Sequence, residues 1–370
     1  LALATLPSLS KNYSKINLSL NFEFLIIVII IFIFSKDRYY LDQDELTYWG
    51  RAIKMLFESE SFGFTHHPQG LNIFRYFFVT NNFNEGVTIF SNNLILISGF
   101  YYLFYDRKLS NFEKFLLFVF YYLLLNNLSF GFLSIYSDPI LAVIYACLLK
   151  KIFFIFLSKH EKISFRSAVN IFLILLFLLV INRASVIYFG FILIYFVYLI
   201  YDNSSSKRKS FYLITISIIL FLFFFENLFL KITSGYYDAD LVFQKLSSIF
   251  LLENNNLINF LKKILDLFIS PIYFSKFGVL FNGILEVLFN SNTLIYEFQI
   301  PLIFYVLVLF LFIFFKFDHK YFIVLSLVLS IIIYSIIVVF VKIYIENISL
   351  LALPRYIGIM IISSYLIIIS

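Results

Sequence analysis

Long apolar runs broken by short polar gaps make up most of the chain. A helix that crosses a bilayer needs about 20 predominantly apolar residues. Ten segments fit that pattern: 21–36, 86–105, 114–130, 139–157, 168–182, 184–201, 211–229, 300–316, 321–341 and 356–370. The first and fifth are short, and the last runs to the end of the chain. Gly and Pro, which would interrupt such helices, are almost absent from them. Two polar-rich stretches, 37–85 and 230–299, interrupt the series. In the first, Leu46, Trp49, Ile53 and Leu56 recur at helical spacing with Arg51, Lys54 and Glu58 between them, which predicts an amphipathic helix over 44–57 suited to a membrane interface. Tyr48 and Trp49 are aromatic types that favour that depth. A second short helix is expected over 70–79, after the Pro68-Gln69-Gly70 turn. The stretch 230–299 mixes apolar runs with Lys245, Lys262, Lys263 and Asp266, and reads as further interfacial or re-entrant helices.

Charge orients this pattern. With residues 1–20 on the cytoplasmic side, the short loops near 106–114, 150–166, 202–209 and 316–320 lie inside and together hold 13 Lys/Arg against 5 Asp/Glu. Dense Lys/Arg in short loops is the positive-inside signature. The stretches 37–85, 230–299 and 342–355 then face outward and carry most of the acids. The expected architecture is all-α: a polytopic transmembrane helical bundle of about ten spans with interfacial helices in its outer loops. It forms a single integral membrane domain over 1–370, expected to be truncated at both ends.

Composition agrees. The chain is 62% hydrophobic and 14% charged, with mean hydropathy +0.94, more apolar surface than a water-soluble fold of 370 residues can hide. The net charge of +6 fits cationic inner loops and does not call for nucleic acid. The single Cys147 excludes an intramolecular disulfide framework and a cysteine-cluster metal site.

Candidate chemistry concentrates in the first outer stretch, where Asp42, Asp44 and Glu45 fall within four residues. Asp42 as N-cap with Glu45 three residues on resembles a capping box. Capping does not require Asp44. A carboxylate beside the membrane face, its pKa raised by partial burial, is suited to take a proton from an acceptor hydroxyl. Asp42 and Asp44 could instead hold a divalent cation such as Mg or Mn. His66 and His67 are ordinary loop histidines or, for one of them, a phosphate contact or proton-transfer group. Asp138-Pro139 reads as an N-cap followed by the first helical position. Arg183, between two spans, either snorkels to the interface or binds an anionic head group. Glu226 is open in the same way. Arg355 and Tyr356 end the last outer stretch, as an interface anchor or, for Arg355, a phosphate-binding group.

Taken together these residues resemble the GT-C superfamily of polytopic membrane glycosyltransferases. The likeness rests on Asp44-Glu45-Leu46-Thr47-Tyr48-Trp49-Gly50, on His67-Pro68-Gln69-Gly70-Leu71 leading to Phe74-Arg75-Tyr76-Phe77-Phe78, and on Pro354-Arg355-Tyr356. It covers 40–80 and 346–358; elsewhere only the topology is similar. Gln69 stands where bacterial members usually have a second Pro. The resemblance implies a sugar transferred from a polyprenyl-phosphate donor to a glycan, lipid or protein acceptor on the periplasmic or extracellular face of the bacterial inner membrane. In that scheme Asp44 is the base, Glu45 its helper and Arg355 the cation at the departing lipid phosphate, with an outer cavity expected to unite Asp44, one of His66 and His67, and Arg355. A polysaccharide polymerase or ligase, or a lipid-linked glycan flippase, remains an alternative. Transport would call for charged, Gly/Pro-broken spans.

Overall fold

The computed structural model describes residues 18–40, 46, 49–59, 70–79, 83–104, 109–126, 132, 135–157, 165–179, 181, 185–203, 211–222, 256–269, 271–273, 299–301, 321–339 and 353–370. The described residues form twelve helices and one small ribbon. In chain order the helices are α1 Leu18–Ser35, α2 Gly50–Ser59, α3 Gly70–Tyr76, α4 Glu85–Phe104, α5 Asn111–Asn126, α6 Ser137–Leu157, α7 Phe165–Leu179, α8 Ser185–Asn203, α9 Phe211–Leu222, α10 Asn256–Ile269, α11 Tyr321–Val338 and α12 Leu353–Ile369. The antiparallel ribbon pairs β1 Pro271–Tyr273 with β2 Gln299–Pro301, with Ile272 opposite Ile300. The chain divides into two compact units, Leu1–Ile219 with Leu366–Ser370, and Leu220–Tyr365.

In the first unit, α6 is the central element. Every side chain from Ser137 to Leu149 is buried, the pattern of a helix that is apolar all round. Helices α4, α7 and α8 pack on α6, α1 packs on α4, and α2 and α3 pack on each other, with α3 also on α4. The contact between α4 and α6 requires Gly99, where a Cβ would run into Val143 Cγ1 and lie 3.3 Å from the Tyr121 hydroxyl. The Tyr121 hydroxyl ties α5 to α4 by donating to the Leu96 carbonyl at 2.6 Å. The Lys150 ammonium of α6 donates to the Leu103 carbonyl, one of the last carbonyls of α4 that the helix itself cannot satisfy.

Nine of the ten expected spans coincide with helices over the described residues. The fifth runs over Phe165–Leu179, earlier than expected, while the fourth, α6, ends at Leu157 as expected and begins two residues early. The exception is 300–316: residues 299–301 form β2 and the remainder lies outside the described residues. Among the described residues one helix, α4, is long and apolar enough to cross a membrane; α1, α7, α8, α9, α11 and α12 contribute shorter apolar stretches. Four serine hydroxyls in these helices bond to their own backbone. Ser217, Ser335, Ser363 and Ser364 each donate to the carbonyl four residues earlier, at 2.6–2.8 Å. Such back-bonding lets a polar side chain sit in an apolar helix without a partner elsewhere.

The amphipathic helix after the first apolar segment is present as α2, with a different environment from the one its pattern suggests. Trp49, Ala52, Ile53 and Leu56 are buried by protein, Trp49 and Ile53 in a cluster with Tyr40, Ile89, Ile135 and Tyr136. Phe57 meets Phe83 at 6.2 Å between ring centroids. Arg51, Lys54 and Glu58 are exposed, with Lys54 and Glu58 3.7 Å apart. Leu46, expected on the apolar stripe, is 54% exposed. Asp138 lies inside the first turn of α6, one residue beyond its start at Ser137, and Pro139 follows it there.

Helix α5 opens with a capping box. The Ser110 amide and hydroxyl both donate to Glu113 Oε2 at 2.8 Å, and the Glu113 amide donates back to Ser110 Oγ at 3.3 Å. The backbone and then the side-chain hydrogen bond from Ser110 hold the Glu113 carboxyl below its ordinary value of 4.5. A depressed carboxyl stabilises the folded cap fully above its unfolded pKa, and the contribution is lost as pH falls through the folded value. Backbone NMR shifts at Glu113 and Lys114 are therefore expected to move as the first turn frays below pH 4.5. In Glu113→Gln that titration is expected to disappear.

Candidate functional site

The buried polar residues of the first unit gather around one side chain. Arg75, near the end of α3, has no solvent exposure. Its guanidinium donates through Nε to Asn92 Oδ1 at 2.9 Å, through Nη1 to Asn72 Oδ1 at 2.7 Å, and through Nη2 to the Ile135 carbonyl. Its Cζ lies 6.0 Å from the ring centroid of Trp49, the outer limit of a cation–π contact. Asn92 is itself shared, since its amide also reaches the Tyr136 carbonyl at 3.4 Å. One guanidinium thus joins α3, α4, the turn entering α6 and the residue preceding α2.

A second set of bonds holds the chain as it leaves α1. The Tyr40 amide donates to the Glu85 carboxylate at 2.6 Å, and the Tyr40 hydroxyl lies 2.5 Å from Thr88 Oγ1. Thr88 spends its own proton on the Glu85 carbonyl at 2.7 Å, so Tyr40 is the donor between the two hydroxyls. Asn84 caps α4, its Oδ1 accepting from the Val87 amide at 3.1 Å. One turn deeper, Asn93 donates to Ser35 Oγ at 3.0 Å and closes the end of α1 onto α4. Gly86 permits this approach, because a Cβ there would collide with the Ser35 and Lys36 carbonyl groups. Glu85, Thr88 and Asn92 stand at i, i+3 and i+7, so they share one face of a largely apolar helix.

Of the residues expected to carry chemistry, Asp42, Asp44, Glu45, His66, His67 and Arg183 lie outside the described residues, as does Glu226. Arg355 and Tyr356 belong to the first turn of α12, and their side chains lie outside the described set. What the structure describes is the ground on which the first two groups are carried. In the sequence, residues 41–48 fall between Tyr40 and Trp49, with only Leu46 described among them, and 60–69 fall between α2 and α3. Among the described residues there is no group of three His, Cys, Asp or Glu able to hold a metal ion. Arg75, Asn72, Asn92, Thr88 and Glu85 were not singled out by sequence reasoning. The i, i+3, i+7 spacing of Glu85, Thr88 and Asn92 inside an apolar segment is the signal that could have found them.

No family model matches the chain, and neither a curated protein nor a solved structure is similar to it.

Asn92→Leu removes the Asn92 acceptor from the Nε of a buried charged donor. Its expected cost is about 2–4 kcal/mol of unfolding free energy in detergent denaturation. Tyr40→Phe removes a single neutral hydrogen bond and is expected to cost about 1 kcal/mol in the same measurement.

Proposed function

We propose that the chain is a polytopic membrane glycosyltransferase that moves a sugar from a polyprenyl-phosphate donor to an acceptor on the outer face of the membrane, with Asp44 as general base. Support for a lipid environment comes from the surface. On α1, Leu25, Ile26, Ile29, Ile30, Ile33 and Phe34 are exposed, and Phe34 is 70% exposed. Leu116 and Phe115 of α5, Ile194 of α8, and Ile219 and Leu222 of α9 repeat the pattern. Each such side chain facing water forgoes about 1.5–3 kcal/mol of burial, and a lipid solvent removes that penalty.

The observation that carries the transferase reading is the setting of the acidic segment. It follows directly on apolar α1, and its two bounding residues, Tyr40 and Trp49, belong to one buried cluster on α4. A base must be held in fixed geometry against its acceptor, and a segment anchored at both ends meets that need. Glu45, His66 and His67 are supporting groups for acceptor and phosphate in this scheme. Inverting displacement follows if a single base acts and no covalent intermediate forms.

The test uses purified full-length protein in lipid with polyprenyl-phosphate sugars and candidate acceptors. Asp44→Asn is expected to lower the transfer rate by roughly 10²–10⁴-fold, the usual worth of a general base. Asp42→Asn, at the acid not assigned as the base, is expected to retain most activity. Transfer by Asp44→Asn at near the wild-type rate would remove Asp44 from the chemistry.

A further inference from the structure

We propose that α10 is an in-plane lipid-binding helix, seated at the boundary between the headgroups and acyl chains of a phospholipid bilayer with its axis parallel to the surface. The inference rests on the membrane reading of the chain and is independent of the transfer chemistry. Helix α10, Asn256–Ile269, has 14 residues. At 1.5 Å per residue it is about 21 Å long, short of the roughly 30 Å of hydrocarbon that a span must cross. Around its axis three sectors stand about a third of a turn apart. Protein covers the first, at Phe260, which is buried. The second is an apolar stripe of Ile258, Leu261 and Leu265 at i, i+3 and i+7, exposed by 62%, 54% and 57%. The third is polar. Asn259, Lys262 and Asp266 repeat the same spacing one residue on, with Asn259 and Lys262 exposed and Asp266 half-buried.

This arrangement differs from that of α11, an apolar helix of the same unit. The side chains that α11 exposes among the described residues are Leu329, Ile333 and Ile336, all apolar. On α10 the uncovered surface changes from apolar to polar along a line parallel to the axis. A water–hydrocarbon boundary presents both media along the whole length of one helix. Lys262 borders the apolar stripe, four residues after Ile258 and three before Leu265. Its stem therefore lies along hydrocarbon while its ammonium reaches the lipid phosphates, the anionic layer that complements it. A protein partner fits this surface less well: a stable interface takes about 20–30 residues a side, and the stripe offers three.

The experiment reads depth by spin labelling of the full chain in nanodiscs of phosphatidylcholine and phosphatidylglycerol. Cys147 is the single cysteine and is buried, so a Cys147→Ala background leaves one label per protein. The labelled variants are Asn259→Cys, Leu261→Cys, Lys262→Cys and Leu265→Cys on α10, with Ile333→Cys on α11 as the reference. Collision with oxygen, which partitions into hydrocarbon, is compared with collision with a water-soluble nickel chelate. Labels at positions 261 and 265 are expected to favour oxygen and to lie about 5–10 Å into the headgroup and acyl boundary. At positions 259 and 262 the preference is expected to reverse. If Leu261→Cys does not fold, Leu265→Cys and Ile258→Cys report the same stripe. Three results overturn the proposal while position 333 still reads lipid: nickel reaching 261 and 265 as freely as 259 and 262, oxygen dominating at all four positions, or both reagents excluded from 261 and 265 by a second copy or other protein cover. Nickel dominating at position 333 as well removes the membrane reading together with the proposal.

Discussion

A guanidinium buried without solvent is the constraint from which the first unit follows. Desolvating such a charge is expensive unless its donors are met in good geometry. Arg75 meets that demand by drawing in oxygen acceptors from α3, α4 and the entry to α6. The neighbouring elements then have little freedom. Helix α3 must lie along α4, the 135–136 backbone must present its carbonyls inward, and Trp49 must close over the assembly. The apolar face of α2 completes the enclosure through Ile53, in the same cluster as Ile89 and Ile135.

Around this polar centre the molecule reverses the distribution familiar from water-soluble folds. Its interior holds Arg75, Asn72, Asn92, Asn93 and Thr88 along with its apolar core, while whole faces of α1 and α9 present Ile, Leu and Phe outward. An apolar solvent turns both features into sense. Several polar groups that would be orphaned in hydrocarbon are satisfied inside, and Ser217, Ser335 and Ser364 close their hydrogen bonds on their own helices. Polar satisfaction and apolar exposure are two halves of one physical requirement.

The helices were legible in the sequence because apolar runs of this length admit few other forms. Their ends were less legible in places, since the limits of α7 depend on local capping and packing that hydropathy does not register. The amphipathic period of α2 was readable, but its partner was not: a 3.6-residue stripe fits lipid and protein equally well, and only tertiary placement shows Ile53 covered by protein. Arg75 went unnoticed for a related reason. In the string Phe74-Arg75-Tyr76-Phe77 it reads as one charge on an interfacial helix, and nothing local announces that Asn92, seventeen residues on, accepts from it. Asp44, Glu45, His66 and His67 were named from sequence and fall in segments beyond the described residues.

Gly99 gives α4 a second significance. It lies seven residues beyond Asn92, about 10 Å further along the axis, where the helix seats against Val143 of α6. A rigid rod seated at one point and carrying attachments at another behaves as a lever. The phase of α4 against α6, set by the missing side chain at Gly99, also fixes the azimuth of Glu85, Thr88 and Asn92. A rotation that admitted a bulkier residue at the seat would swing Tyr40 and the Arg75–Trp49 contact together. The interior seam at Gly99 thereby governs the bearing of Glu85, Thr88 and Asn92, about two turns or more away.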